Sequence, residues 1–161
     1  MQSAQPSETF TIGGILWTQG ELDARQMMSS NDYASELTTS ITDMRATYGS
    51  DLPFFFSRLS DGQTDLPATD LSNIRAAQEF VDANVTNTYL INTDGFAMSS
   101  DNLHFNAVGY DVLGQAFGQS VIDAGVVTAI PEPGTYALLL LSGVILGFCT
   151  RRRECQIVKT K

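Results

Sequence analysis

Asp101-Asn102-Leu103-His104 holds the chain's only histidine, with a carboxylate ahead of the imidazole at a spacing a single turn can close. In that pattern the carboxylate fixes the imidazole tautomer and steadies its positive charge, while His104 takes a proton from a serine hydroxyl. The blander reading is a surface histidine just before a helix, since D-x-x-H matches often by chance. No motif places a serine beside it. A chain with one histidine and no paired Cys or His spacing is also a poor zinc candidate, and Asn92-Thr93-Asp94 reads more simply as a solvated turn than as a cation loop. Neither a metal nor a cofactor is expected.

The elements that must position this dyad alternate. Thr11 to Trp17 is an apolar run that reads as a buried strand opening into the polar loop Thr18 to Asp23. From Asp32 to Tyr48 the residues Tyr33, Leu37, Ile41, Met44 and Tyr48 recur at helical spacing, with Asn31 as the N-cap and Gly49 as the stop. Pro53 to Leu59 is short and aromatic, a second buried strand, and Asp61-Gly62 turns the chain after it. Asp70 caps a helix through Ala83 that turns Ile74, Ala77 and Val81 inward. Thr88 to Ile91 is a third strand, and Asn106 caps a last helix through Ala124 carrying Leu113, Phe117 and Val121. This alternation predicts an α/β fold with a parallel sheet. In such a sheet sites form beyond the carboxyl ends of the strands, where the loops Gln19–Asp23 and Asp101–His104 could meet.

Two blocks sharpen the reading: Gly14-Ile15-Leu16-Trp17-Thr18-Gln19-Gly20-Glu21-Leu22-Asp23, and the stretch from Asp101-Asn102-Leu103-His104 through Gly109-Tyr110. They resemble the sialate O-acetylesterase-like branch of the SGNH/GDSL hydrolases, which includes carbohydrate esterase family six and carries runs close to G-x-L-W-x-Q-G-E-x-D and D-x-x-H-x-x-x-x-G. Leu52-Pro53-Phe54 and Ile74-Arg75-Ala76-Ala77-Gln78 also look like that family's middle segments. The resemblance implies a three-layer α/β/α, flavodoxin-like fold and an activity on acetylated carbohydrate. It implies His104 as general base, Asp101 as its orienting carboxylate and Gln19 as a side-chain donor to the oxyanion. Gly20 and Glu21 would form the supporting loop, with Arg75 and Gln78 in structural roles. The family's nucleophile sits in a G-Q-S-N-like block well ahead of the Q-G-E run, whereas Met1-Gln2-Ser3-Ala4 lies close to it, so Ser3 reads as coincidence. The expectation is a carboxy-terminal portion with the first strand and the nucleophile missing, inactive by itself, and with a sheet edge prone to aggregation.

Charge divides the chain. The formal net charge is −9, which excludes nucleic-acid binding through a basic surface. Up to Ile130 the basic residues are Arg25, Arg45, Arg58 and Arg75, whereas Arg151, Arg152, Arg153, Lys159 and Lys161 crowd the end, beside Cys149 and Cys155. Residues 1–128 therefore read as one domain. Residues 129–153 run through a Pro-Glu-Pro-Gly turn and an apolar segment, 136–150, to three arginines, and 154–161 form a basic tail. The apolar run is short of the roughly 20 residues of a comfortable span, so tilt or snorkelling would assist a transmembrane helix there. Pro131-Glu132-Pro133, the apolar segment and Arg151 to Arg153 resemble the PEP-CTERM sorting signal; the extra Glu154 to Lys161 is a departure. That resemblance implies export, inner-membrane anchoring with the domain in the periplasm, processing by an exosortase, and release to the outer surface. MQSAQPSETF lacks the basic and apolar regions of an export signal, a second reason to expect an upstream segment. The leading expectation is a carbohydrate O-acetylesterase; the alternative is a non-catalytic exported surface or matrix protein associated with exopolysaccharide.

Overall fold

The computed structural model describes residues 11–127. Its elements run β1 (Ile15–Trp17), α1 (Glu21–Arg25), α2 (Ser30–Tyr48), β2 (Phe54–Ser57), α3 (Ala68–Asn84), β3 (Thr88–Ile91) and α4 (Ala107–Asp123). The three strands form a parallel sheet in the order β1-β2-β3, with Ile15 opposite Phe54 and Phe54 opposite Thr88.

Three consecutive phenylalanines put β2 at the centre. A strand buried on both faces needs apolar side chains at successive positions, not alternate ones, and Phe54, Phe55 and Phe56 are all fully buried. Phe54 and Phe56 join Ile41, Ile74 and Val81 in the larger core, under α2 and α3. Phe55 points the other way, to Leu113 and Phe117 of α4 and to Phe105. The result is the expected α/β/α layering. Among the described residues β1 is an edge strand, and its Leu16, on the face of Phe55, is 58% exposed.

The helix faces follow the sequence pattern, and two of the three expected caps are corrected. Tyr33, Leu37 and Ile41 are buried and Met44 is partly so, whereas Tyr48, the last residue of α2, is exposed. Ser29, not Asn31, caps α2: its Oγ accepts from the Asp32 backbone N–H at 3.2 Å and meets the Asp32 carboxylate at 2.6 Å. With its hydroxyl both accepting from and donating to Asp32, Ser29 outcompetes Asn31, which falls inside the first turn. Asp70 likewise sits in the first turn of α3, behind Pro67, where its charge faces the positive end of the helix dipole. Asn106 does cap α4, accepting from Gly109 N–H at 3.0 Å. β1 is shorter than the run Thr11–Trp17, because pairing with β2 begins only at Ile15, whose N–H reaches the Pro53 carbonyl.

Asn92-Thr93-Asp94 is an anchored corner, not a solvated turn. The Asp94 carboxylate takes two hydrogen bonds from the Arg75 guanidinium, 2.7 and 3.0 Å, and a third contact from Arg58, which follows β2. Thr93 is buried, its hydroxyl donating to the Arg58 carbonyl at 2.6 Å. The Arg75 hydrogen bond, helped by the Asp61 N–H and the Arg58 charge and opposed by partial burial, lowers the Asp94 carboxyl from 3.8 to about 2. A carboxyl lowered on folding contributes stability that is present above its unfolded value and lost as pH falls through its folded one. Asp94→Asn is therefore expected to cost on the order of 1 kcal/mol at neutral pH, allowing for partial exposure. The deficit against the wild type should shrink between about pH 4 and pH 2 in denaturant titrations followed by circular dichroism.

Among the described residues no helix is long and apolar enough to cross a membrane. The segment 136–150, Pro131-Glu132-Pro133, Arg151 to Arg153 and Met1 to Ala4 lie outside the described residues.

Candidate active site

The Asp101–His104 turn is tied at its base. Met98 and Phe105 form an antiparallel bridge, Ser99 N–H donates to the His104 carbonyl at 2.7 Å, and Asn106 N–H to the Ala97 carbonyl at 3.0 Å. Asp101 organises the tip with both oxygens. Oδ1 accepts from the backbone N–H groups of Leu103 and His104, each at 3.0 Å, and Oδ2 lies 2.7 Å from His104 Nδ1. Asn102 supplies the left-handed step, φ 52°, that closes so tight a turn, a conformation asparagine tolerates. The His104 contact first, then the two backbone donors, hold the Asp101 carboxyl far below the usual carboxylate range. An ionised Asp101 accepts Nδ1–H and leaves the Nε2 lone pair free, the tautomer a base requires. The imidazole is 61% exposed, and among the described residues Nε2 has no hydrogen-bond partner.

Gly109 explains the last position of D-x-x-H-x-x-x-x-G. A Cβ there would lie 2.2 Å from the Ala97 carbonyl oxygen and 2.9 Å from Phe105 Cβ. The first turn of α4 is thus pressed against the strand-like base of the dyad turn. Phe105, buried, locks that base by tilted packing on Phe96 and an edge contact with Tyr110.

At the end of β1, Gly20 adopts φ 137°, in the region that favours glycine, and a Cβ would crowd Ile74 Cγ2 at 3.0 Å and Tyr33 OH at 3.2 Å. The Gln19 carbonyl accepts from Tyr33 OH and from Gln78 Nε2, both at 3.2 Å. The Gln19 side-chain Oε1 also accepts from Tyr33 OH, and its Nε2 donates to the Asp23 carboxylate, leaving a second N–H on that nitrogen. Burial pushes the Tyr33 phenol well above its ordinary value, so it remains a donor. Gln19 lines a cavity of about 260 Å³ with Trp17, Asp23, Tyr33 and Leu37.

Arg75 and Gln78 lie one turn apart on α3 and face the strand ends. Gln78 Oε1 accepts from Leu59 N–H at 2.9 Å while Nε2 reaches the Gln19 and Ser57 carbonyls. It ties α3 to the ends of β1 and β2, as Arg75 ties it to Asp94.

The residue the sequence reading missed is Gln63. It is 1% exposed in the loop after β2, and its Nε2 donates to the Leu103 carbonyl at 2.9 Å and to Glu21 Oε1 at 3.2 Å. Arg25 of α1 pairs with Asp65 in the same loop, and Asp65 N–H donates to the Asn102 carbonyl. The Q-G-E segment and the D-x-x-H turn therefore meet through this loop. The stretch beginning Asp61-Gly62-Gln63 reads as turn chemistry, and nothing in its composition distinguishes a buried glutamine from a solvated one. The polar loop also contains the short helix α1, too brief to register as a periodicity.

Residues 1–123 match the family described as carbohydrate esterase, sialic acid-specific acetylesterase. Residues 129–153 match the PEP-CTERM protein-sorting motif. An X-ray structure of a protein from Arabidopsis thaliana superposes with a TM-score of 0.61 at 22% identity, covering 69% of this chain and 44% of that one. At such identity the likeness concerns the fold, and this chain spans less than half the length of that protein. No curated protein matches the chain. Because that family match spans residues 1–123, the chain belongs to the sialic acid-specific acetylesterase family of carbohydrate esterases, and a PEP-CTERM motif follows at residues 129–153.

Proposed function

We propose that the domain carries the base and oxyanion side of a carbohydrate O-acetylesterase site. His104 Nε2 takes the proton of a serine hydroxyl as its Oγ attacks the acetyl carbonyl. Asp101 holds the tautomer and stabilises the imidazolium. The second N–H of Gln19 Nε2 meets the developing oxyanion, with Asp23 orienting the amide. His104 returns the proton to the departing sugar oxygen, and water then hydrolyses the acetyl-serine to acetate. Acyl transfer of this kind needs no metal or cofactor.

The observation that carries this reading is the 2.7 Å contact between Asp101 Oδ2 and His104 Nδ1 on an exposed imidazole. The nucleophile is assigned to a segment outside residues 11–127, since the family's G-Q-S-N-like block lies well ahead of the Q-G-E run at Gln19-Gly20-Glu21. The PEP-CTERM motif supports export, transient anchoring of 136–150 in the inner membrane and processing by an exosortase. The PEP-CTERM match at residues 129–153 also fits a second reading, a non-catalytic surface protein displayed by its sorting motif.

Acetate release from O-acetylated sugars by the domain joined to a segment that supplies the serine, compared between wild type and His104→Ala, separates them. The esterase reading predicts a loss of roughly 100- to 10,000-fold on removing the base. A rate indifferent to His104→Ala removes His104 from the mechanism, and absence of acetate release from the domain joined to that segment supports display. A fluorophosphonate probe should label no serine within 11–127; labelling there contradicts the placement of the nucleophile.

A further inference from the structure

We infer that Gln63 is a positioning residue that holds the Gln19–Glu21 segment and the Asp101–His104 turn in one fixed relation. The inference rests on the proposed role of His104 as base. A carboxamide offers one acceptor and two N–H groups, and Gln63 spends all of them at named partners. Its Oε1 accepts from Ser60 N–H at 2.8 Å, which fixes the plane of the amide within its own loop. Its Nε2 then donates one way to Leu103 O and the other way to Glu21 Oε1, at 2.9 and 3.2 Å.

The contact at Leu103 has particular leverage. The Leu103 carbonyl and the His104 N–H belong to one planar peptide unit. Gln63 holds its oxygen, and Asp101 Oδ1 holds its N–H at 3.0 Å. Gripped on opposite edges, that plane cannot rotate without breaking one of the two bonds, and its rotation is what would swing the His104 side chain off Asp101 Oδ2. The group doing this is 1% exposed, so water cannot replace it without opening the loop. Other side chains fail for definite reasons: glutamate lacks the two N–H donors and would repel Glu21, and asparagine is one methylene short. The parallel link from Arg25 through Asp65 to Asn102 touches the turn one residue earlier and does not grip this peptide plane.

Because His104 is the only histidine, the imidazole ¹⁵N spectrum of the full 161-residue chain contains one ring. At a pH where the ring is neutral, the wild type should show Nδ1 protonated and Nε2 bare. In Gln63→Leu the ratio of Nδ1–H to Nε2–H tautomer should fall about fivefold, the factor one hydrogen bond of typical net strength carries. Glu21→Ala, a change at the partly exposed end of the link, should shift the ratio the same way by a smaller factor, and it decides the matter if Gln63→Leu does not fold. Arg45→Leu is the control, since Arg45 binds the Leu52 and Asn87 carbonyls at the opposite end of the sheet. It should lower stability and leave the ratio unchanged. Wild-type ratios in both Gln63→Leu and Glu21→Ala overturn the inference, as does an equal shift in Arg45→Leu. A wild type protonated at Nε2 instead refutes the base reading itself, so the two failures are distinguishable.

Discussion

Gly109→Ala should destabilise the domain by about 3 kcal/mol, while Gly114→Ala on the same helix should stabilise it by up to about 1 kcal/mol. The two glycines share a helix and differ in what a methyl group meets. At Gly109 it would stand 2.2 Å from the Ala97 carbonyl oxygen, a backbone atom that cannot step aside as a flexible side chain does. At Gly114 nothing lies within 4 Å, so alanine there only removes the excess backbone freedom of glycine in the unfolded chain. The displaced carbonyl accepts the Asn106 N–H, and Asn106 caps α4. Relief of the clash therefore disturbs both the helix start and the base of the Asp101–His104 turn. Thermal melts should separate the pair by well over 10 °C, since each kcal/mol is worth roughly 4 °C or more in a domain of this size. Equal melting temperatures would contradict the close approach of α4 to Ala97.

Asp101→Asn should leave the turn intact and, in the proposed esterase with its nucleophile segment present, remove nearly all activity. Asparagine retains an Oδ1 that can accept from Leu103 and His104 N–H, so the backbone geometry survives. What changes is the atom facing the imidazole. An amide nitrogen in place of Oδ2 donates to Nδ1, which forces the ring proton onto Nε2 and abolishes the base. The same exchange in Ser-His-Asp hydrolases costs about 10,000-fold in turnover. Here the expected result is a comparable loss of acetate release in a domain that still folds cooperatively, with a small fall in melting temperature from the lost carboxylate–imidazole contact. Equal loss of stability and activity would mean that Asp101 acts only as a turn former. Because the carboxyl is held so far below its ordinary range, Asp101 itself stays ionised through mildly acidic pH.

The three strands and three long helices were legible because burial leaves a repeating mark on sequence. A run such as Phe54-Phe55-Phe56 has few homes other than a central strand, and Tyr33, Leu37 and Ile41 can share a face only in a helix. Caps were less legible, because Ser29 and Asn31 are both good capping residues and the two bonds of the Ser29 hydroxyl to Asp32 decide between them. In the site, Asp101 and His104 were legible as a local turn, whose geometry depends on near neighbours. Gln63 was not, since its partners Glu21 and Leu103 are some forty residues away in either direction and the meeting exists only after β1, β2 and α4 have packed. The glycine at 109 was visible as a motif position, and its reason is a backbone contact no side-chain pattern records.

A base oriented by Asp101 has one permitted tautomer, so the proton on the His104 ring reports whether Asp101 orients it. In the wild type at neutral ring charge, ¹⁵N chemical shifts should report Nδ1 as the protonated, pyrrole-like nitrogen and Nε2 as the bare, pyridine-like one, reversing in Asp101→Asn. A wild-type ring protonated at Nε2 and indifferent to Asp101→Asn would contradict the account.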